Sequence, residues 1–342
     1  MNIPKLPPMN RQVLLDSRPD GIPQASHFRT VETPVPVPGP GQVLVRNLWL
    51  SVEPAMRGWV GAVANYSEPV AIGAVMRSFA AGVIAQSNDP AWPVGTPVTG
   101  LFGWQDCAVV DGTAIQRRVD ETDLPLSTAL GVMGINGVTA HYGLLELGQP
   151  KPGETVVVST AAGSVGSCVG QIAKLRGCRT VGITGGETKR RLCLERFGYD
   201  AAVDYKEPDF AEQLAQACAG GVDVYYDNTA GAISDAVMAR LNVGARVVVC
   251  GTASVPSWNP PPQGPRVERH LLVKRARMQG FVIFDHPEHE AVARQDLAQW
   301  LRSGQLQYVE EVLDGIEHAP DAIAGLYRGE NLGKRLIRLT AG

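Results

Sequence analysis

The sequence predicts an α/β protein in which a doubly wound parallel sheet is joined to a second, β-rich and partly barrel-like domain. Three features predict it. The strand-like run Thr155-Val156-Val157-Val158-Ser159 leads into Ala161-Ala162-Gly163-Ser164-Val165-Gly166, and helical spacing continues from Cys168 to Leu175. From about Leu126 onward, helical and strand-like segments alternate, the pattern of a parallel sheet with helices on both faces. The residues before Leu126 instead carry short strands divided by Pro- and Gly-rich turns.

In the β-rich part, strands are expected at 42–46, 82–85, 96–100 and 107–110, separated by turns such as Pro38-Gly39-Pro40-Gly41 and Pro93-Val94-Gly95. Beyond Leu126, strands are expected at 155–159, 179–183, 201–205, 222–227, 245–250 and 277–283. Helices are expected at 188–198, 208–219, 232–242 and 287–304. Trp258-Asn259-Pro260-Pro261-Pro262 reads as a loop interrupting the alternation. The strand-like residues 335–339 should return to the first domain. The expected domains are therefore 1–125 with 308–342, and 126–307.

The turn at 161–166 has the (A/G)xGxxG pattern of a dinucleotide site in its strand–turn–helix context. Gly163 lets the backbone approach a pyrophosphate, whose charge faces the N–H groups and positive dipole end of the new helix. Gly166 lets that helix pack closely on its strand. An NAD site usually places Asp or Glu at the end of the second strand, against the ribose hydroxyls. Here that strand ends in Thr184-Gly185-Gly186, and Lys189, Arg190 and Arg191 follow within the next helix. A missing carboxylate and a nearby cation favour a 2′-phosphate, so NADPH is the expected cofactor. Lys189 lies closest to the strand tip; Arg190 and Arg191 read as a solvated helix face.

Bulk properties fit an enzyme with two cores. The chain has 342 residues, 44% hydrophobic and 19% charged, and a net charge of −3. That charge argues against nucleic acid or an acidic membrane as the main partner. No apolar run reaches the roughly 18 residues that span a bilayer. Met1 to Pro8 hold no secretory apolar core, which makes the cytoplasm the expected location. The six cysteines, at 107, 168, 178, 193, 218 and 250, include no CxxC pair. They argue against both a disulfide framework and a structural zinc site. The cluster Asp285-His286-Pro287-Glu288-His289-Glu290 reads as a helix start, since nothing else supplies further metal ligands.

In order along the chain, several segments resemble one family. They are Leu50-Ser51-Val52-Glu53-Pro54-Ala55-Met56-Arg57, Gly137-Val138-Thr139-Ala140, the turn at 161–166, Asp227-Asn228, Arg277-Met278-Gln279-Gly280-Phe281, and Gly329-Glu330-Asn331-Leu332-Gly333-Lys334. Together they resemble the medium-chain dehydrogenase/reductase superfamily, in its zinc-independent branch of alkenal, prostaglandin and curcumin double-bond reductases. The resemblance implies a Rossmann domain beside a GroES-like domain. It also implies metal-free, NADPH-dependent reduction of the carbon–carbon double bond of an α,β-unsaturated ketone or aldehyde, with hydride added to the β-carbon. A homodimer joined at the sheet edge near 277–283 is a further expectation of the resemblance.

Carried over residue by residue, Gly163, Val165 and Gly166 match the pyrophosphate turn, Lys189 the 2′-phosphate lysine and Tyr205 its companion tyrosine. Asn228 and Cys250-Gly251-Thr252 match the lip of the cofactor cleft. Thr139, Phe281, Val282, Ile283 and Asn331 match contacts to the nicotinamide side. Tyr66 matches a tyrosine of the curcumin-reductase-like members and is the candidate donor to the substrate carbonyl. Packing at a strand end is the other reading of Tyr205, a turn or helix cap that of Asn228, and a surface loop aromatic that of Tyr66. Ala55 and Phe284 stand where relatives carry tyrosine, and Asn136 where they carry proline. Loss of tyrosine at two sites leaves open a weakly catalytic NADPH-binding sensor or structural protein. A quinone oxidoreductase of the same superfamily, using the same cleft, is the other alternative, against which Met278-Gln279-Gly280-Phe281 and Asn331-Leu332-Gly333-Lys334 favour the enone branch.

Overall fold

The structure, a computed structural model, describes residues 5–62, 66–255, 260 and 262–339. Trp258, Asn259 and Pro261 of the expected proline-rich loop lie outside them, as does Asn65 beside Tyr66. Two compact units divide the chain: Met1–Leu130 with Glu310–Gly342, and Gly131–Val309.

Unit 1 begins with β1 (Asn10–Leu15) and β2 (Phe28–Thr33), an antiparallel pair. Then come β3 (Gln42–Ser51), α1 (Met56–Val60), β4 (Ala80–Ser87), β5 (Pro97–Gly100), β6 (Cys107–Asp111) and β7 (Ile115–Arg118). β3 outruns its expected extent, because polar residues that obscure its alternation are buried with partners. Arg46 donates to Asp106 Oδ1 (3.2 Å) and Asn47 Nδ2 to Gln105 O (2.9 Å).

Unit 2 runs through α2 (Ile135–Tyr142), β8 (Thr155–Ser159), α3 (Ser164–Leu175), β9 (Arg179–Thr184), α4 (Glu187–Arg191) and β10 (Ala201–Asp204). It continues with α5 (Phe210–Ala217), β11 (Val222–Asp227), α6 (Gly231–Met238), β12 (Leu241–Val249), α7 (Glu268–Lys274), β13 (Arg277–Gly280) and α8 (Glu290–Arg302). Its sheet is parallel throughout, in the order β10-β9-β8-β11-β12-β13. This is the doubly wound order, whose switch point lies between the first and fourth strands, β8 and β11. β8 is buried along its whole length, as its unbroken β-branched run requires. One face of the sheet packs Val157, Ile183, Val203, Tyr225 and Val247 against Leu214, Val237 and Met238 of α5 and α6.

The chain then enters β14 (Glu310–Asp314), α9 (Ala319–Arg328) and β15 (Lys334–Arg338) in unit 1. They extend a sheet of order β14-β15-β3-β4-β5-β7, with β6 also paired to β3. Several expected boundaries move. The helix expected at 232–242 ends at Met238, since Leu241 already pairs with Val222. The strand expected at 277–283 ends at Gly280, and Ile283–Asp285 form a 3₁₀ turn. The helix expected at 188–198 is α-helical only to Arg191 and widens into π turns over Leu192–Arg196.

Candidate functional site

All six parallel strands of unit 2 have candidate residues in the segments that follow their carboxyl ends. Gly163, Val165 and Gly166 follow β8, Lys189 follows β9 and Tyr205 follows β10. Asn228 follows β11, and Cys250, Gly251 and Thr252 follow β12. Phe281, Val282 and Ile283 follow β13, the sixth strand, in the same way. Parallel pairing puts all of these on one side of the sheet, the side on which doubly wound folds bind ligand.

The β8–α3 turn is tightly built. Gly163 is the N-cap of α3 and supplies no side-chain cap, so the amides of the first turn have no partner within the helix. A Cβ at Gly166 would lie 2.3 Å from Thr160 O and 2.9 Å from Ala161 Cα. Only glycine lets α3 start this close to its strand. Thr160 has φ 55 and Ala230, beyond β11, has φ 57. Two non-glycine residues in the left-handed region thus flank the switch point. Strain of that kind, on the order of 1 kcal/mol or more each, persists only where the surroundings enforce it.

A buried carboxylate enforces it on the β11 side. Asp227 Oδ1 accepts from Tyr225 Oη (2.9 Å), Thr229 N (2.9 Å), Ala230 N (2.9 Å) and Ser159 Oγ (3.3 Å), and Oδ2 accepts from Ser234 Oγ. Ser159 Oγ in turn accepts Asn228 N (2.8 Å), while Asn228 Nδ2 donates to Ser159 O (2.7 Å). The amide of Asn228 is therefore fixed across the gap between β8 and β11. Beyond β12, Cys250 N and Gly251 N both donate to Asp227 O, at 2.8 and 3.1 Å. Burial, with a smaller contribution from Asp227, pushes the Cys250 thiol up to about 12 against a hydrogen bond with Tyr226. It is a packing group rather than a nucleophile. Tyr226 Oη donates to Thr139 O (2.9 Å), and Phe281 lies 5.5 Å, ring to ring, from Tyr142. Gly143 leaves the room: a Cβ there would meet Tyr226 Oη at 2.7 Å and Phe281 Cζ at 2.8 Å. Thr139, Cys250 and Phe281 thus gather around Tyr226.

At the β9 tip the sequence holds no carboxylate, but the neighbouring strand supplies one. Asp204 Oδ2 accepts Gly186 N (2.7 Å) and Oδ1 accepts Lys206 N (2.9 Å), so both oxygens are committed to backbone amides. Arg190 and Arg191 pair with Glu187 (2.6 Å) and Glu195 (2.9 Å) on the helix surface. Lys189 is half-buried. Thr184 Oγ1, at the end of β9, is buried with no hydrogen-bond partner among the described residues.

Tyr66 and Asn331 belong to unit 1. Tyr66 is 53% exposed. Its phenol is close enough for its charge to raise the pKa of Tyr327, behind burial as the main cause and against the opposing charge of Arg57. Tyr327 Oη donates to Pro54 O (2.9 Å), and the Arg57 guanidinium lies 4.7 Å from the Tyr327 ring centroid. Asn331 Nδ2 donates to Gly333 O (2.9 Å). Two segments far apart in sequence meet here: buried Lys334 Nζ lies 2.5 Å from Glu53 Oε1 and 2.6 Å from Ser51 Oγ. Of the positions that depart from the family, Phe284 is 46% exposed and Asn136 is buried in α2.

Sequence reasoning missed several supporting residues. Tyr199 lies under α3, where Cβ atoms at Gly170 and Gly182 would strike its ring at 2.1 and 3.2 Å, and its hydroxyl donates to Gly166 O (2.7 Å). The four-residue spacing of Gly166 and Gly170 on one helix face was the available signal. Asp204 and Asp227 stood at strand ends but gave no sign that backbone amides would consume them.

Comparison with known proteins adds the family. Residues 11–117 match the family described as the N-terminal domain of oxidoreductase, and residues 164–299 the one described as zinc-binding dehydrogenase. NADPH-dependent curcumin reductase of Escherichia coli is 44% identical over 337 residues, covering 96% of this chain and 97% of that protein. The NADP(+)-dependent 2-alkenal reductase of Nicotiana tabacum is 34% identical over 97% of this chain and 98% of its own length. The crystal structure of CurA from Vibrio vulnificus in complex with NADPH superposes with a TM-score of 0.92 at 43% identity, over 97% and 100% of the two chains. The chain belongs to the medium-chain dehydrogenase/reductase superfamily, in its alkenal, prostaglandin and curcumin reductase branch. One of its family descriptions names zinc, yet among the described residues no group of three His, Cys, Asp or Glu could hold a metal ion. Among them, too, no helix is long and apolar enough to cross a membrane.

Proposed function

We propose that this member of the superfamily is an NADPH-dependent reductase of the carbon–carbon double bond in α,β-unsaturated ketones and aldehydes. The observation that carries this reading is a full-length match to reductases whose names specify NADPH or NADP(+), curcumin and 2-alkenals. The residues present fit the cofactor. Glycine at 166 lets α3 begin close against its strand, and the first-turn amides of α3, uncapped by any side chain, are available to a pyrophosphate. The orphaned Thr184 hydroxyl marks the β9 tip as a place that expects a polar partner.

When bound, NADPH supplies the hydride that adds to the β-carbon. The chain's own residues bind and orient. Gly163, Val165 and Gly166 hold the pyrophosphate, while Lys189 and Tyr205 hold the 2′-phosphate. Asn228, Cys250, Gly251 and Thr252 line the lip. Thr139, Phe281, Val282, Ile283 and Asn331 serve the nicotinamide end. Tyr66 donates a hydrogen bond to the substrate carbonyl, where negative charge develops. Its half-exposed phenol, open to solvent at the surface of unit 1, is consistent with that role. The reading includes a cytoplasmic homodimer: its six free cysteines suit a reducing compartment, and β13 is one of the two edge strands of the unit 2 sheet.

NADPH oxidation by chelator-treated protein against matched enones, enals and quinones, with NADH as control, tests the reading. Fast enone or enal turnover with NADPH supports it. Turnover confined to quinones points to quinone reduction instead, and tight NADPH binding without turnover on any of them points to a non-catalytic role.

A further inference from the structure

Gly185, just past β9, lies against two side chains from the segment after β10. A Cβ at 185 would be 2.9 Å from Tyr205 Cε1 and 3.0 Å from Lys206 Cε. The aliphatic stem of Lys206 therefore lies along the β9 tip. Asp204 puts it there, since one buried carboxylate binds the amides of both Gly186 and Lys206. Of the cations near the tip, Arg190 and Arg191 are neutralised by Glu187 and Glu195. Among the described residues, no carboxylate is paired with the Lys206 ammonium, and the residue is exposed.

We propose that Lys206 is a second specificity-determining cation for the 2′-phosphate of the cofactor, beside Lys189, with Asp204 as its positioning residue. This rests on the NADPH reading above. A lysine free to swing in water gives little discrimination, because ordering its long stem offsets the attraction. Lys206 has its backbone amide held by Asp204 and its Cε lying close to Gly185, so less freedom is lost when a phosphate arrives. The commitment of Asp204 to amides also keeps its oxygens from competing for the ammonium.

The test is calorimetric titration of the full-length chain with adenosine 2′,5′-bisphosphate and, separately, with AMP, which lacks the 2′-phosphate. Lys206→Gln should weaken the bisphosphate about five-fold and AMP less than about two-fold, and Lys206→Arg should restore most of the loss. Raising the salt concentration should shrink the difference between wild type and Lys206→Gln. Equal weakening of both ligands, or an unchanged bisphosphate affinity, overturns the proposal. The underlying reading fails separately. If wild type binds the two ligands equally, there is no 2′-phosphate site, and both ideas fall. If Lys189→Ala removes the preference while Lys206→Gln preserves it, the NADPH reading stands and Lys206 has no part in it.

Discussion

Gly166→Ala is the sharpest single perturbation of the site. The added Cβ would sit 2.3 Å from Thr160 O and 2.9 Å from Ala161 Cα, whereas ordinary contacts begin near 3.4 Å. Both neighbours are backbone atoms and cannot rotate away, so the start of α3 must recede by roughly 1 Å. Overpacking of this kind costs about 1–3 kcal/mol, and at 2–4 °C per kcal/mol the melting temperature should fall by about 5 °C. The same retreat draws the first-turn amides away from a bound pyrophosphate. Losing one charge-assisted hydrogen bond, about 1.5–3 kcal/mol, weakens NADPH by about ten-fold or more. Gly163→Ala is the comparison: its nearest neighbour is the Thr160 methyl at 2.9 Å, with Thr160 O at 3.2 Å, so it should be the milder variant. Thermal melts and NADPH fluorescence titrations measure both. A Gly166→Ala protein that melts and binds like wild type, or a Gly163→Ala protein worse than it, refutes the packing argument.

Other consequences can be measured independently. Lys189→Ala should raise the Michaelis constant for NADPH far more than that for NADH; equal increases remove its phosphate role. Tyr66→Phe should lower turnover on enones while NADPH affinity holds, so unchanged rates across a broad enone panel exclude the phenol from the chemistry. Lys334→Met takes the cation from beside the buried Glu53 carboxylate and should cost about 3–5 kcal/mol in urea unfolding, and a loss below about 1 kcal/mol would show the pair to be dispensable. For Asp106, burial acts to raise the carboxyl pKa, but the hydrogen bond and charge of Arg11, followed by Arg46, hold it below the usual carboxylate range. A folded pKa below the unfolded one gives stability that is complete above about pH 4 and lost as pH falls through the folded value. The stability gap between wild type and Asp106→Asn should therefore narrow as pH falls from about 5 to 3. A constant gap contradicts the assignment.

Unit 2 was largely legible because its signals are local. The run Thr155–Ser159 reads as a buried strand from its β-branched residues alone, and Val222–Asp227 likewise falls where the pattern puts it. Gly166 of the turn was legible because close backbone approach allows no other residue there. Boundaries shifted where pairing overrode propensity, as at Leu241, which reads as helical until Val222 claims it for the sheet. Strands β1, β2, β7 and β14 and helix α9 were not anticipated. Each is short or carries charged residues along its exposed face, and gains order from pairing or packing that a local window does not contain.

The sequence by itself determined the parallel α/β architecture and the glycine turn between β8 and α3, and set the expectation of a 2′-phosphate at the β9 tip, since each depends on residues within about one strand–turn–helix unit. Tertiary structure decided where the carboxylates go. Asp204 and Asp227 could have faced a ribose or water; the fold gives them amide and hydroxyl donors from their own strands and turns and from Gly186 and Ser159 beside them, because a buried charge is tolerable only when its oxygens are satisfied. It also joined Ser51 and Glu53 to Lys334, and Pro54 and Arg57 to Tyr327. Nothing in a linear pattern links groups more than 270 residues apart; only the pairing of β15 with β3 brings those two segments into hydrogen-bonding range.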